Sequence, residues 1–351
     1  MSFGNGNGTK TARIGVVGCG YWGKNLARNF SDLGHLQAIC ESDADRLAEF
    51  AALYPEAKPY RRIEDAISAP DLDALVLATP AERHCRMAIA ALRGGKDVFV
   101  EKPLALEWQE GVEMVDTARE CGRILMVGHL LKYHPAILKV QELVSQESFG
   151  RIEYIYSNRL SMGKIRREEN ALWSFAPHDI SVILALTGQL PMQVIATGGA
   201  YLQPNIADVT VSNLLFERGT RCHIFVSWLH PYKEQRLVVV GSRQMAVFED
   251  TRPDNKLLLF DKRIEWKNGA IETAKASGVA VPFDPEEPLR RECRHFIECV
   301  ATRQRPHTPG EEGIEVLQVL QACQRSLEMN GEPVRVDPTT TVRKLAQYQR
   351  I

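Results

Sequence analysis

A two-domain α/β protein is predicted by three features of this sequence. Short apolar runs alternate with amphipathic helices from Thr11 to about Gly128, and a series of β-rich runs with tight turns follows. The length of 351 residues exceeds what one core commonly holds. The division read from these features is a polar Gly/Asn-rich tail over 1–10, a doubly wound parallel-sheet domain over 11–128 and a second α/β domain over 129–351.

The first domain opens with a buried strand, Arg13–Val17, after which Trp22, Leu26, Phe30 and Leu33 recur at helical spacing. Leu36–Cys40 reads as a second strand and Asp43–Leu53 as a second helix. Ala74–Ala78 is a further apolar strand, Met87–Arg93 a helix ended by Gly94-Gly95, and Val98–Val100 and Ile124–Val127 two more strands. Continuous apolar runs of this kind need cover on both faces, which is the pattern of a parallel sheet with helices on either side.

The pattern changes beyond Gly128. Asp208–Glu217 and Thr220–Leu229 flank a turn at Arg218-Gly219, Leu237–Val240 and Met245–Phe248 flank Gly241–Arg243, and Leu257–Phe260 precedes Arg263–Trp266. Together they predict a meander of antiparallel strands. Two helices close the chain, one striped by Leu289, Cys293, Phe296, Ile297 and Val300, the other by Val316, Leu320, Cys323 and Leu327.

Composition narrows the function classes. A net charge of -1 provides no field for nucleic acid or an anionic membrane. No segment approaches the roughly 18 consecutive apolar residues of a membrane span. The N-terminal tail lacks the apolar core of a signal peptide, and the eight cysteines contain no C-x-x-C pair, so reduced thiols in a cytoplasmic protein are expected. His129 and His134 have no metal-ligand spacing or companions, and no metal is expected.

Gly18-Cys19-Gly20-Tyr21-Trp22-Gly23 is G-x-G-x-x-G between a strand and a helix. The first glycine permits the tight turn, the second admits a pyrophosphate close to the backbone, and the third lets helix and strand pack closely. The helix N-terminus adds N–H groups and positive potential. Glu41, 23 residues after Gly18 and ending the second strand, sits near the ~20-residue spacing of the ribose-binding acid. These residues point to a dinucleotide, and Glu41 favours NAD over NADP because it would repel a 2′-phosphate; Ser42 and Arg46 could accept that phosphate if Glu41 turned away. Thr79-Pro80 ends another strand on the side of the sheet where ligands bind. Val98-Phe99-Val100 stops abruptly at Glu101-Lys102-Pro103, which places two charges at a strand's C-terminal end, either facing a cleft or on an ordinary surface turn.

Gly18–Gly23, Ala78-Thr79-Pro80 with His84, Gly94–Val98 and Glu101-Lys102-Pro103 together resemble the glucose-fructose oxidoreductase/inositol dehydrogenase (Gfo/Idh/MocA) family. The resemblance continues through Val127-Gly128-His129 with Tyr133-His134-Pro135 and reappears at Arg305-Pro306 through Gly313. It implies an NAD(P)-binding Rossmann domain, with His84 and Glu101 among the cofactor-binding residues, and a second domain built on a large open antiparallel sheet. It also implies that Lys102 touches both substrate and cofactor and that the substrate is a sugar or cyclitol. Ala171–Ile180 aligns with the family's catalytic segment. Many members carry Asp four residues before the His, where this chain has Ser174, so only His178 is carried over. Asp179 is either a substrate contact or a charge near a helix N-terminus.

Gly20–Leu26 and Leu172–Ser181 further resemble members that oxidise C3 of UDP-N-acetylglucosamine-type or glucuronate-type sugars. The expected chemistry is hydride transfer between a ring carbinol and NAD, with Lys102 or His178 as proton acceptor; His178 needs no lowered pKa and is favoured, with Lys102 positioning the hydroxyl. Arg159, Lys164, Arg166 and Arg167, read as a loop, with Asn170 and Trp173 beyond, are candidates to hold the diphosphate and a ring; Arg166–Glu169 is also sign-balanced, as a solvated loop would be. A free-sugar or inositol dehydrogenase and a non-catalytic NAD-binding sensor are the alternatives. An open sheet predicts a homodimer or homotetramer.

Overall fold

The computed structural model describes residues 12–163, 165–267, 270–274 and 276–336. It divides into two compact units, Met1–Leu130 with Glu287–Leu317 and Leu131–Glu286 with Gln318–Ile351.

In the first unit, β1 (Ile14–Val17), β2 (Leu36–Cys40), β3 (Lys58–Tyr60), β4 (Ala74–Leu77), β5 (Asp97–Glu101) and β6 (Leu125–Gly128) form one sheet in the order β3-β2-β1-β4-β5-β6. Every neighbouring pair is parallel. The connections carry α1 (Gly23–Asp32), α2 (Ala44–Leu53), α3 (Ile63–Ser68), α4 (His84–Arg93) and α5 (Trp108–Glu120). This is the doubly wound sheet predicted, because β1, β4, β5 and β6 are buried throughout and only strands covered on both faces can be. β3 escaped prediction: it has three residues with Pro59 at its centre, which an edge position tolerates. Asp43 starts α2 by accepting a hydrogen bond from Arg46 N–H.

The second unit begins with α6 (Pro135–Ser145), β7 (Ile152–Leu160) and α7 (Ala171–Thr187). Then follow β8 (Gln193–Gly199), β9 (Val209–Leu215), β10 (Arg221–Ser227), β11 (Glu234–Gly241), β12 (Gln244–Glu249), β13 (Leu257–Asp261), β14 (Arg263–Lys267), β15 (Ala270–Ala274) and β16 (Val279–Ala280). The chain closes with α8 (Pro288–Thr302), α9 (Gly310–Glu328) and β17 (Val334–Arg335). Among the described residues the large sheet has nine strands in the order β16-β13-β12-β11-β7-β10-β9-β8-β17, and β14 pairs with β15.

The meander needs correcting. β7 lies between β10 and β11 and runs parallel to β10, so the hairpins β8–β9–β10 and β11–β12–β13 are joined through a strand earlier in sequence. Along β7 and β10, Ile155, Ser157, Cys222, Ile224 and Val226 are buried, while Tyr154, Tyr156, His223 and Phe225 on the opposite face are partly exposed.

The boundary at residue 128/129 also needs correcting, because Glu287–Leu317 returns to the first unit. The apolar stripe of α8 explains this. Phe296 stands edge-on to Phe99 of β5 at 5.6 Å and to Phe30 of α1 at 6.4 Å between ring centroids. Arg28 pairs with Glu287 at 2.6 Å, and Thr308 bonds Val127 through both its hydroxyl and its carbonyl. α8 is thus one of the covering helices of the parallel sheet, supplied by a distant segment.

Candidate functional site

The glycine-rich turn after β1 does what its spacing predicts. Gly18 has φ +89°, and a Cβ there would stand 2.9 Å from the carbonyl oxygen of Ala78. A Cβ on Gly23 would lie 1.8 Å from the carbonyl oxygen of Gly18, which binds the start of α1 tightly to the turn. A Cβ on Gly20 would meet no atom within 4 Å. The second glycine therefore faces open space, as a backbone that must admit a pyrophosphate requires. Lys24 and Asn25 are the first N–H groups to bond back into the helix, to Gly20 and Trp22, so the N–H groups of residues 21–23 form the open helix end. Tyr21 is exposed and Trp22 half-buried at this rim.

Glu41 is buried at the end of β2. Its Oε2 accepts the Cys19 N–H at 2.9 Å and lies 3.5 Å from Arg46; its Oε1 accepts Asp43 N–H at 3.0 Å and the Ser42 hydroxyl at 3.3 Å. Burial pushes its carboxyl up, but the Asp43 and Cys19 amides outweigh that and hold it below the usual carboxylate range. The sequence reading has Glu41 as a ribose acceptor; the structure adds that it ties the glycine-rich turn to the end of β2 through the Cys19 N–H.

His84, read as a cofactor contact, also braces the fold. It is 1% exposed, and its two ring nitrogens face main-chain carbonyls, Nδ1 to Pro103 at 2.9 Å and Nε2 to Thr79 at 2.8 Å. It fastens the Thr79-Pro80 turn to the turn after β5. Lys102 stands at the C-terminal end of β5, half-buried, ahead of the cis bond to Pro103. The Glu101 carboxyl is buried against Gly128, where a Cβ would come within 3.1 Å of it, and it accepts the Lys102 N–H at 3.3 Å. Burial raises it to about 7 against the pull of Lys102.

In the second unit, Asn170 caps α7 by accepting Trp173 N–H at 3.1 Å, and its amide and the Trp173 indole N–H both reach Gln324. His178 follows Pro177 inside α7 and is half-buried; Ser174, where many relatives of this sequence pattern carry Asp, is buried one turn earlier. Asp179 lies in the third turn of α7, too far in to answer the helix N-terminus. It is buried and accepts Arg159 twice, at 2.9 and 3.1 Å, and the Ser157 hydroxyl at 2.6 Å. Arg159 is accordingly in β7 and not in a loop, and its guanidinium is committed to Asp179. The pair pins α7 to the sheet, and both residues line a cavity beside it. Arg166 pairs with Glu169 at 2.9 Å and remains partly exposed. Lys164 lies outside the described residues.

Two charged groups here, Arg236 and Asp250, escaped the sequence reading. Arg236 bonds Glu249 at 3.0 Å while its buried Nε has no partner, and it lines a cavity with Ser157, Arg159, Asp179, Gln235 and Asp250. Asp250 lies 3.5 Å from His134 and 2.8 Å from Lys256; the His134 contact, ahead of Lys256 and against burial, holds its carboxyl far below the usual range. Only the alternation of β11 and β12 places these groups, and a single charged position in a strand carries no motif.

Among the described residues no group of His, Cys, Asp or Glu could hold a metal ion, and no helix is long and apolar enough to cross a membrane.

Residues 12–129 match the family described as "Oxidoreductase family, NAD-binding Rossmann fold", and residues 137–247 match the GFO/IDH/MocA C-terminal domain. The UDP-N-acetylglucosamine 3-dehydrogenase of Acidithiobacillus ferrooxidans is 28% identical over 310 residues, covering 87% of this chain and 94% of that protein. The structure of that protein, GnnA, superposes with a TM-score of 0.80 at 23% identity, over 91% of this chain and 98% of its own. The WlbA dehydrogenase of Bordetella pertussis, solved with NADH and UDP-GlcNAcA, gives 0.76 at 23% identity, over 93% of this chain and 99% of its own. At that identity the two structures speak for the fold.

Proposed function

The chain belongs to the GFO/IDH/MocA oxidoreductase family, and from that premise we propose that it transfers hydride between a ring carbinol of a nucleotide sugar and NAD. The observation that carries the cofactor half is the turn at Gly18–Gly23, open at Gly20 and closed at Gly18 and Gly23, with Glu41 behind it. The sugar half is supported by the relative that acts on UDP-N-acetylglucosamine across nearly its whole length. C3 of a UDP-N-acetylhexosamine or its uronate is the position proposed, which suits a role in making cell-surface polysaccharide.

When bound, the nicotinamide ring supplies the hydride acceptor. The residues at 21–23 hold the pyrophosphate by their N–H groups, and Glu41 orients the adenosine ribose. Lys102 orients the reacting hydroxyl, and His178 takes its proton as the hydride leaves. Arg166 and Trp173 are the proposed contacts for diphosphate and ring, Arg166 exchanging Glu169 for phosphate. NAD is favoured over NADP because Arg46, the cation nearest Glu41, is already paired with it.

The test is NADH formation with a panel of UDP-sugars, free sugars and cyclitols. The expected result is turnover of a UDP-sugar, inhibited competitively by uridine diphosphate. Efficient turnover of free hexose or inositol, indifferent to uridine diphosphate, would replace the nucleotide sugar by the free one. NADH binding without any turnover would leave a sensor.

A further inference from the structure

Glu292 is 0% exposed, in the second turn of α8, and among the described residues neither of its carboxyl oxygens has a hydrogen-bond partner. The position of a second carboxyl beside it follows from packing. Phe296 of α8 touches Phe99 of β5. Glu292 lies four residues before Phe296, on the same helix face, and Glu101 two residues after Phe99, on the same strand face. Arg303, just past the end of α8, pairs with Asp97 at the start of β5, so helix and strand run in opposite directions. From the phenylalanines each step covers roughly 6–7 Å the same way, which brings the two carboxyls toward each other. Their electrostatic coupling agrees: after burial, Glu101 is the charge that pushes Glu292 well above the usual range.

The other groups around the pair are few. From β5 there is Lys102, whose charge acts on Glu101; from α8, the buried Cys293 thiol, raised by burial and then by Glu292 and Glu101. At the start of α8, Glu287 is neutralised by Arg28 of α1 and also accepts from Asn29. From β6 there is the backbone of Gly128, followed by His129, which faces Glu312. Two carboxylates in such surroundings cannot both be ionised, since burial and mutual repulsion both oppose it.

We propose that Glu101 and Glu292 share one proton at neutral pH as a buried acid pair beneath Lys102, and that Glu292 is thereby a positioning residue that spreads the negative charge facing the lysine over two carboxyls. Glu101 is nearer Lys102 in sequence and bonded to its N–H, so whatever fraction of the charge Glu292 draws away is lost to the lysine. The importance of this for catalysis rests on the hydride-transfer reading of Lys102; the pair itself does not.

The test reads the proton and the lysine separately, and neither needs a substrate. Infrared titration of the full-length protein should show a protonated-carboxyl band persisting to about pH 6.5, where ordinary carboxylates have lost theirs. Glu292→Gln, which removes one carboxyl of the pair, should shrink that band to the part Glu101 holds alone through its burial. Lys102 is then labelled with an acylating reagent at about pH 8 and quantified by mass spectrometry. Glu101→Gln removes the facing anion and should speed labelling severalfold, while Glu292→Gln concentrates the charge on Glu101 and should slow it. If Glu292→Gln does not fold, the wild-type band and Glu101→Gln still decide the matter. The absence of a protonated band in the wild type overturns the pair, and labelling changes in the same direction for both substitutions overturn the positioning role. A confirmed pair in a protein that turns over no sugar would contradict only the functional reading.

Discussion

A methyl group at residue 23 has nowhere to go. Gly23→Ala sets it against the Gly18 carbonyl, a backbone atom that cannot swing aside, so the turn must open. We expect a stability loss of roughly 1–3 kcal/mol and at least about a tenfold weaker NADH complex, measured by thermal melting and fluorescence titration; unchanged binding would mean that the turn does not hold the cofactor. Glu41→Gln should shift the kcat/KM ratio of NAD over NADP toward NADP by about tenfold or more, about 1.4 kcal/mol. A ratio that does not move would show that Glu41 serves only to tie Cys19 to β2. Glu101 gives the pH dependence its sign. Its folded value is raised from 4.5 to about 7, so the folded state keeps a proton that the unfolded chain releases, and stability present below pH 4.5 is lost as pH rises through about 7. Melting points between pH 5 and 8 should fall accordingly, and less so in Glu101→Gln.

Elements divide into those with a local signal and those without. The parallel strands and their helices were legible because uninterrupted apolar runs and 3.6-residue stripes reflect burial directly; Leu36–Cys40 was read to the residue. The place of β7 between β10 and β11 was not, since a strand's neighbours are chosen by packing over long sequence separations. The apolar stripe of α8 was visible too, but a stripe does not say which sheet it covers. Phe296→Ala should therefore destabilise the dinucleotide unit, by about 3–5 kcal/mol, and weaken NADH binding with it. The same limit applied to Arg159 and Asp179: both residue types were noticed, and only the facing of α7 on β7 reveals that each answers the other. Asp179→Ala should cost about 3–5 kcal/mol by leaving a buried guanidinium, while replacing both partners by apolar residues should recover much of it. An equal loss from the double replacement would mean that the pair contributes little beyond its packing.

At the scale of the molecule, the side of the large sheet opposite its buried residues presents partly exposed Tyr154, Tyr156 and His223, with Tyr156 stacked on His223, together with Phe225. Such a surface suits burial against a second copy. Tyr156→Arg should lower the mass measured by analytical ultracentrifugation to that of the 39.4 kDa chain; a wild type already at that mass would show that the face is simply solvated.

The return of Glu287–Leu317 to the first unit has a consequence for biosynthesis. A chain emerges from the ribosome in order, so β1–β6 are available long before α8 exists. Phe30 and Phe99, wholly buried in the finished protein, lack the Phe296 ring for the whole interval in which the second unit is being made. The domain that begins the protein is thus among the last to be completed, and for that time its unfinished face is a natural client for a chaperone. Nascent chains stalled at residue 130 should bind an apolar dye and be cut readily by protease, and chains stalled once residue 317 has left the exit tunnel should lose both properties.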